Sequence, residues 1–275
     1  MSNNKSDFLN KCVIPTSLFD INFASLDQDW DLITKFYNKK EKTNNPIPNI
    51  IHFIWLGGKL PDAYSLIIDE WKNKTGFDIE IWDDNKSEKF LSNKKSKGIF
   101  HRSKSFGIKS DVLRYEILNQ LGGLYVDTDF LCCSNDFNKL HQTVSFYAGI
   151  CLERNVQINN GIMASTPNHF ILQACIDNVS DTKYVNEIYC EQTRVLYQTG
   201  PWLLTAAILY YLKNTNNQDI IIFPSQTFHP FPAAYRDNQS MEFIQQFIKP
   251  WSMACHLWHA SWQPNSKFFK GENNV

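Results

Sequence analysis

The chain has 275 residues, 43% of them hydrophobic and 20% charged, an ordinary balance for a globular protein with a substantial core. A net charge of -1 gives no electrostatic reason to expect a nucleic-acid partner, and no window approaches the ~18 consecutive apolar residues of a membrane span. Seven cysteines, odd in number and without paired metal-ligand spacing, favour a reducing compartment over a disulfide framework.

Residues 1–45 are polar and rich in Lys and Asn, with one amphipathic stretch from Phe19 to Tyr37, and read as an N-terminal helical extension. It begins without an apolar run of signal-peptide length, so the expectation is a cytoplasmic protein at synthesis, with any export by a route the sequence does not spell out. Pro46 and Pro48 break any helix and set the boundary to one domain over residues 46–275. The run Ile50 to Leu56, closed by Gly57-Gly58, is the pattern of a strand buried on both faces. A helix opened by Pro61 through about Lys74, a strand over Asp78–Trp82 and a helix begun at Asp83-Asp84-Asn85 follow, an alternation that specifies an α/β fold. From Lys109 to Leu121 the positions Leu113, Ile117, Leu118 and Leu121 recur at helical spacing before Gly122-Gly123 stops the helix. Leu124-Tyr125-Val126 then reads as a strand that delivers Asp127 at its carboxyl end. Later strands fall at 145–150, 158–165 and 220–223, with helices at 168–179 and 201–213.

Asp127-Thr128-Asp129 thus lies at the carboxyl edge of the sheet, where open α/β folds bind ligands. Two carboxylates two residues apart supply hard oxygen ligands for Mg²⁺ or Mn²⁺ with positions left for phosphate oxygens; a turn-forming role is the plain alternative. Asp111 and Arg114 share one face of the preceding helix. They are either a surface ion pair, which would contribute only about 0–1 kcal/mol, or a device in which Asp111 accepts sugar hydroxyls and Arg114 adds fixed charge near a diphosphate. The ending from Cys255 to Trp262 is unusually dense in polar aromatic residues.

The blocks IIHFIWLGG, SDVLRYEILNQLGGLYVDTDF, INNGIMAS, TGP and HLWHASW occur in this order over residues 48–262. Together they resemble the DXD-containing sugar transferases, a family that includes fungal initiating mannosyltransferases, bacterial polysaccharide transferases and the glucosylating domains of bacterial toxins. The resemblance implies a GT-A-type nucleotide-binding domain with a mixed, mainly parallel sheet, a divalent metal, and transfer of a hexose with retention from a nucleotide-diphosphate donor, UDP-sugar ahead of GDP-sugar. It implies that Asp127 and Asp129 hold Mn²⁺ or Mg²⁺, with Asp127 also at the donor, and that Trp55 stacks on the donor base. Asp111, Arg114 and Asn160 would face the donor sugar, and Ser261 and Trp262 would close over the diphosphate. His256 stands five residues before that Ser and is a further candidate metal ligand, a buried histidine bonded to backbone being its alternative. Leu257 departs from the second His frequent in the mannosyltransferase branch, whereas Trp55 to Gly58 is closer to the toxin branch.

The acceptor is left open among a glycan, a lipid-linked sugar and a protein hydroxyl, as are the oligomeric state and the choice, for residues 1–45, between packing on the core and touching a membrane or acceptor. Two rivals stand beside this reading. One is a metal-dependent phosphohydrolase, whose Asp-x-Asp usually follows the first strand and continues differently from Phe130-Leu131. The other is a nucleotide-sugar or carbohydrate-binding module without turnover.

Overall fold

Each apolar run found in the sequence becomes a strand of one sheet. The computed structural model describes residues 31–34, 45–152, 156–180, 191–215 and 219–261. The strands are β1 (Ile50–Ile54), β2 (Asp78–Trp82), β3 (Gly123–Val126), β5 (Phe146–Leu152), β6 (Gln157–Ser165) and β7 (Ile220–Phe223), side by side in the order β2-β1-β3-β6-β5-β7. β2, β1 and β3 run parallel, as do β5 and β7, and β6 runs antiparallel to both neighbours. The sheet is therefore mixed but mainly parallel, with a single reversed strand at its centre. Of the extension assigned to residues 1–45, only 31–34 and 45 are described; 31–34 is helical and its Ile33 is buried in the core.

Strand alternation divides the core between the two faces of the sheet. Ile51, Phe53, Leu124, Val126 and Ile221 pack on one side with Ile68 and Trp71 of helix α1 (Asp62–Thr75). Ile54, Tyr125, Ile220 and Ile222 pack on the other with α4 (Phe106–Leu121), α6 (Phe170–Asn178) and α8 (Pro201–Asn214). Helix ends follow the local chemistry. α1 is preceded by Pro61, carries Asp62 in its first turn and Lys72 and Lys74 in its last, and stops at Gly76 with φ 69°. In α2 (Asp84–Phe90) the Asp83 side chain caps the backbone N–H of Lys86. The short α3 (Lys94–Arg102), capped by Asn93, carries too few apolar residues to stand out in the sequence.

α4 is buried almost all round: Leu113, Ile117 and Leu118 are inaccessible, and so are Asp111 and Arg114 apart from a twentieth of their surface. Leu121, the last member of the apolar series, is instead 41% exposed in the final turn. Outside the main sheet, β4 (Phe130–Cys132) pairs antiparallel with β8 (Ala254–His256), bringing the C-terminal segment beside the chain that leaves β3. Trp71 holds this minor sheet to α1, because its fully buried ring lies 5.1 Å from Phe137 and its Nε1–H donates to the Phe130 carbonyl at 2.7 Å. No described helix is long and apolar enough to cross a membrane.

Replacing Trp71 with Ala leaves a cavity and a buried carbonyl without its donor, and should lower the unfolding free energy by about 3–5 kcal/mol in urea titrations. Trp71→Phe keeps most of the packing and should cost less than half as much.

Candidate functional site

The site begins where β3 ends. The backbone N–H of Asp127 donates to Gly161 O on β6 at 2.7 Å, and Phe130 N–H closes a turn onto Asp127 O at 3.2 Å. That turn presents Asp127 and Asp129 at the carboxyl edge of the parallel strands. The chain then enters β4, where Phe130 faces His256 across the minor sheet and Leu257 N–H donates to Asp129 O at 2.9 Å. Pairing of β4 with β8 thereby aligns His256 with the two carboxylates, and ligand atoms of Asp127, Asp129 and His256 all lie within 4.8 Å of one another.

His256 is not a histidine satisfied by backbone. Its Nε2 lies 3.3 Å from Asp129 Oδ2, its ring stacks on Phe130 at 4.2 Å, and its buried Nδ1 has no hydrogen-bond partner among the described residues. Two carboxylate oxygens and one imidazole nitrogen form a donor set that fits Mn²⁺ well and Mg²⁺ through its oxygens. Charge fits too, since three acidic residues, Asp111, Asp127 and Asp129, line the cavity and Arg114 is the one buried cation among the described residues that opposes them.

Arg114 lies beneath this cluster. Its Nη2 is 3.3 Å from Asp111 Oδ1 and 3.3 Å from Asp127 Oδ1, its Nη1–H donates to Asn160 O at 2.8 Å, and its guanidinium rests 4.4 Å over the Tyr125 ring. Ser110 accepts from Nε through its carbonyl and from Nη2 through its hydroxyl. The Asp111–Arg114 pair is thus an internal counter-ion network rather than a surface ion pair, with most of the guanidinium donors engaged by the protein. Asp111 is similarly occupied: Oδ1 accepts from Asn160 Nδ2 at 2.8 Å and Oδ2 from the Thr199 hydroxyl at 2.8 Å. One lone pair of Oδ2 is left for a ligand hydroxyl.

Electrostatics separates the three acids. Burial pushes Asp111 up to about 6 against the opposing effects of Arg114, Thr199 and Asn160. Burial also raises Asp127, which Arg114 counteracts, and the Tyr125 hydroxyl donates to its Oδ1 at 2.5 Å. Burial acts the same way on Asp129, yet the His256 imidazole and the His259 backbone N–H, 2.8 Å from Oδ2, hold it well below the usual carboxylate range.

A cavity of about 270 Å³ opens over this cluster. Trp55, Asp111, Arg114, Asn160 and Ser261 all border it together with the three candidate ligands, and Trp262 lies outside the described residues. Trp55 is only 4% exposed; its Nε1–H donates to Lys59 O at 3.0 Å and its ring lies 5.0 Å from Tyr64. Sequence reasoning missed Tyr115, Tyr125, Gly161, Thr199 and His259. Tyr125 could have been found by strand alternation, since it shares a face with Asp127. Gly161 could not, because its value is spatial: a Cβ there would fall 2.6 Å from Asp127 Oδ2.

Against known proteins, the chain is 29% identical over 234 residues to the uncharacterized glycosyltransferase L373 of Acanthamoeba polyphaga mimivirus, covering 82% of this chain and 87% of the relative. It is 26% identical over 196 residues to inositol phosphoceramide mannosyltransferase 1 of Schizosaccharomyces pombe, covering 69% of this chain but only 59% of that protein. Among solved structures, the PaToxG glycosyltransferase superposes with a TM-score of 0.51 at 19% identity over 68% of this chain and 76% of its own, a likeness of fold that makes the domain GT-A-type. Residues 61–146, which hold Asp111, Arg114, Asp127 and Asp129, match the glycosyltransferase sugar-binding region containing a DXD motif.

Proposed function

We propose that the chain transfers a hexose from a nucleotide-diphosphate donor, UDP-sugar ahead of GDP-sugar, to an acceptor hydroxyl with retention of anomeric configuration. The observation that carries this is the convergence of Asp127, Asp129 and His256 within 4.8 Å at the edge of a cavity that Trp55 also lines. These three residues would hold Mn²⁺ or Mg²⁺. A divalent ion bound there supplies Lewis-acid stabilisation of the charge on a departing diphosphate. Trp55, which lines the same cavity, would carry the base, and Asp111 and Asn160 would orient sugar hydroxyls.

Given retention, what the acids are already doing bears on the route. Asp111, Asp127 and Asp129 are the carboxylates bordering the cavity, and each accepts hydrogen bonds or ion pairs from the protein. A double displacement needs a carboxylate free to attack the anomeric carbon with an acid about 5 Å away, and this arrangement leaves none uncommitted. The geometry favours a same-face displacement in which the leaving phosphate oxygen takes the acceptor proton. Acceptor hydroxyls of a glycan, a lipid-linked sugar or a protein side chain all suit that step.

Donor hydrolysis across UDP- and GDP-sugars with Mn²⁺ or Mg²⁺ tests the reading. Asp129→Asn and Asp127→Asn should each lower metal-dependent turnover at least ~10²-fold, about 2.7 kcal/mol of barrier, with the fold retained. A well-folded Asp129→Asn protein with wild-type metal-dependent turnover would overturn the site. Trp55→Ala should weaken binding of the free nucleoside diphosphate by about 1–3 kcal/mol in calorimetry, by analogy with bases stacked on aromatic rings.

Gly161→Ala is a different probe, because the added methyl would displace the Asp127 carboxylate without changing any charge. Mn²⁺ affinity should fall about tenfold in calorimetric titration, a displacement equivalent to about 1.4 kcal/mol. Unchanged affinity would show that Asp127 does not need its observed orientation.

A further inference from the structure

His259 lies in the C-terminal aromatic cluster and is not among the candidate donor or metal contacts. It is nevertheless joined to three elements. Its backbone N–H donates to Asp129 Oδ2 at 2.8 Å, its Nδ1 lies 3.1 Å from the Tyr64 hydroxyl on α1, and its Nε2 lies 3.3 Å from Gln239 Oε1. The Gln239 amide nitrogen donates to Arg236 O at 2.6 Å and to Leu257 O at 3.0 Å, so Oε1 is left to accept. His259 Nε2 therefore carries the proton, Nδ1 accepts, and the Tyr64 hydroxyl donates to it. Trp258 and Ala260 on either side both have positive φ, 60° and 48°, a region that residues with a Cβ rarely enter. The backbone is bent at both flanks, with the N–H turned to Asp129 while the ring meets Tyr64.

Tyr64 continues the path. Its ring lies 5.0 Å from the Trp55 ring and 5.7 Å from the His259 ring, and it is 8% exposed. One short run of contacts thus leads from Trp55 through Tyr64 and His259 to Asp129. We infer that Tyr64 and His259 are a positioning pair that couples occupancy of the Trp55 face by a nucleotide base to the orientation of the Asp129 carboxylate that meets a divalent cation. This rests on the proposed function, in which Trp55 carries the base and Asp129 holds the ion. Neither Tyr64 nor His259 touches substrate in this scheme; both act through residues that do.

The diphosphate of UDP would meet the ion directly, so uridine, which carries the base without the phosphates, isolates this coupling. Coupling between two ligands is reciprocal, and uridine should tighten Mn²⁺ binding by the same factor by which Mn²⁺ tightens uridine. Calorimetric titrations of uridine alone, Mn²⁺ alone and each in the presence of the other measure that factor. In the wild-type protein it should be at least about tenfold, within the usual 5–150-fold range of such couplings. Tyr64→Phe keeps the ring against Trp55 and removes only the hydroxyl; it should reduce the factor at least about fivefold, to no more than about a fifth of its wild-type size, with uridine affinity in the absence of metal unchanged. His259→Ala should do the same, and adding Tyr64→Phe to it should cause no further loss, because both remove one hydrogen bond. A wild-type factor retained in Tyr64→Phe overturns the inference, as does a fall in both affinities that tracks melting temperature and leaves the factor intact. A wild-type protein that binds neither UDP nor Mn²⁺ overturns the proposed function, and the inference with it.

Discussion

The placement of Arg114 under two carboxylates is the constraint on which the rest of the site depends. A buried guanidinium is costly to desolvate unless its charge and its donors are met, and here Asp111 and Asp127 meet the charge while Ser110 and Asn160 take up most of the donors. In return Asp111 and Asp127 can be brought together in a mostly enclosed space without repelling each other apart. Asp129, farther from Arg114, is held ionised by the C-terminal segment instead. Three carboxylates against one buried guanidinium leave this buried cluster with two negative charges in excess, which a divalent ion would offset; Arg236, the other arginine lining the cavity, is exposed.

The reversed strand explains how this network is reached from the sheet. β6 pairs with β3 through Ile162 and with β5 at Asn159 and again at Met163, so residues 160–162 have no partner on β5 across this irregularity. The carbonyls of Asn160 and Gly161 are taken up by Arg114 and by the backbone of Asp127. A regular ladder would have turned Asn160 elsewhere; the interruption lets one strand serve both the core and the cavity, a use to which bulges near functional sites are often put.

How much of this could be read from the sequence depends on distance along the chain. β2 and β7 fall on the expected residues, and α1, α4 and α8 within three residues of the expected ends, because each is written in a local apolar pattern bounded by Gly, Pro or Asp. The positions at the carboxyl edge follow in the same way from strand length, so Asp127 and Asp129 were legible. The burial of the Asp111–Arg114 pair was not, since helical spacing says which residues share a face and not what covers that face. Thr199 meets Asp111 from 88 residues away, and His259 meets Asp129 from 130 away; no periodicity links such pairs. The minor sheet was missed because three-residue strands carry too little pattern to be distinguished from loop.

That minor sheet also separates being folded from being competent. β4 and β8 contribute nothing to the six-stranded sheet, yet their pairing alone carries His256 and His259 to Asp129. A chain ending just ahead of residue 254 would keep the described helices and every strand of the main sheet, but would uncover Phe231, Ile244 and Phe130, against which Cys255, Leu257 and His256 pack. It would also lose His256, one of the three candidate ligands.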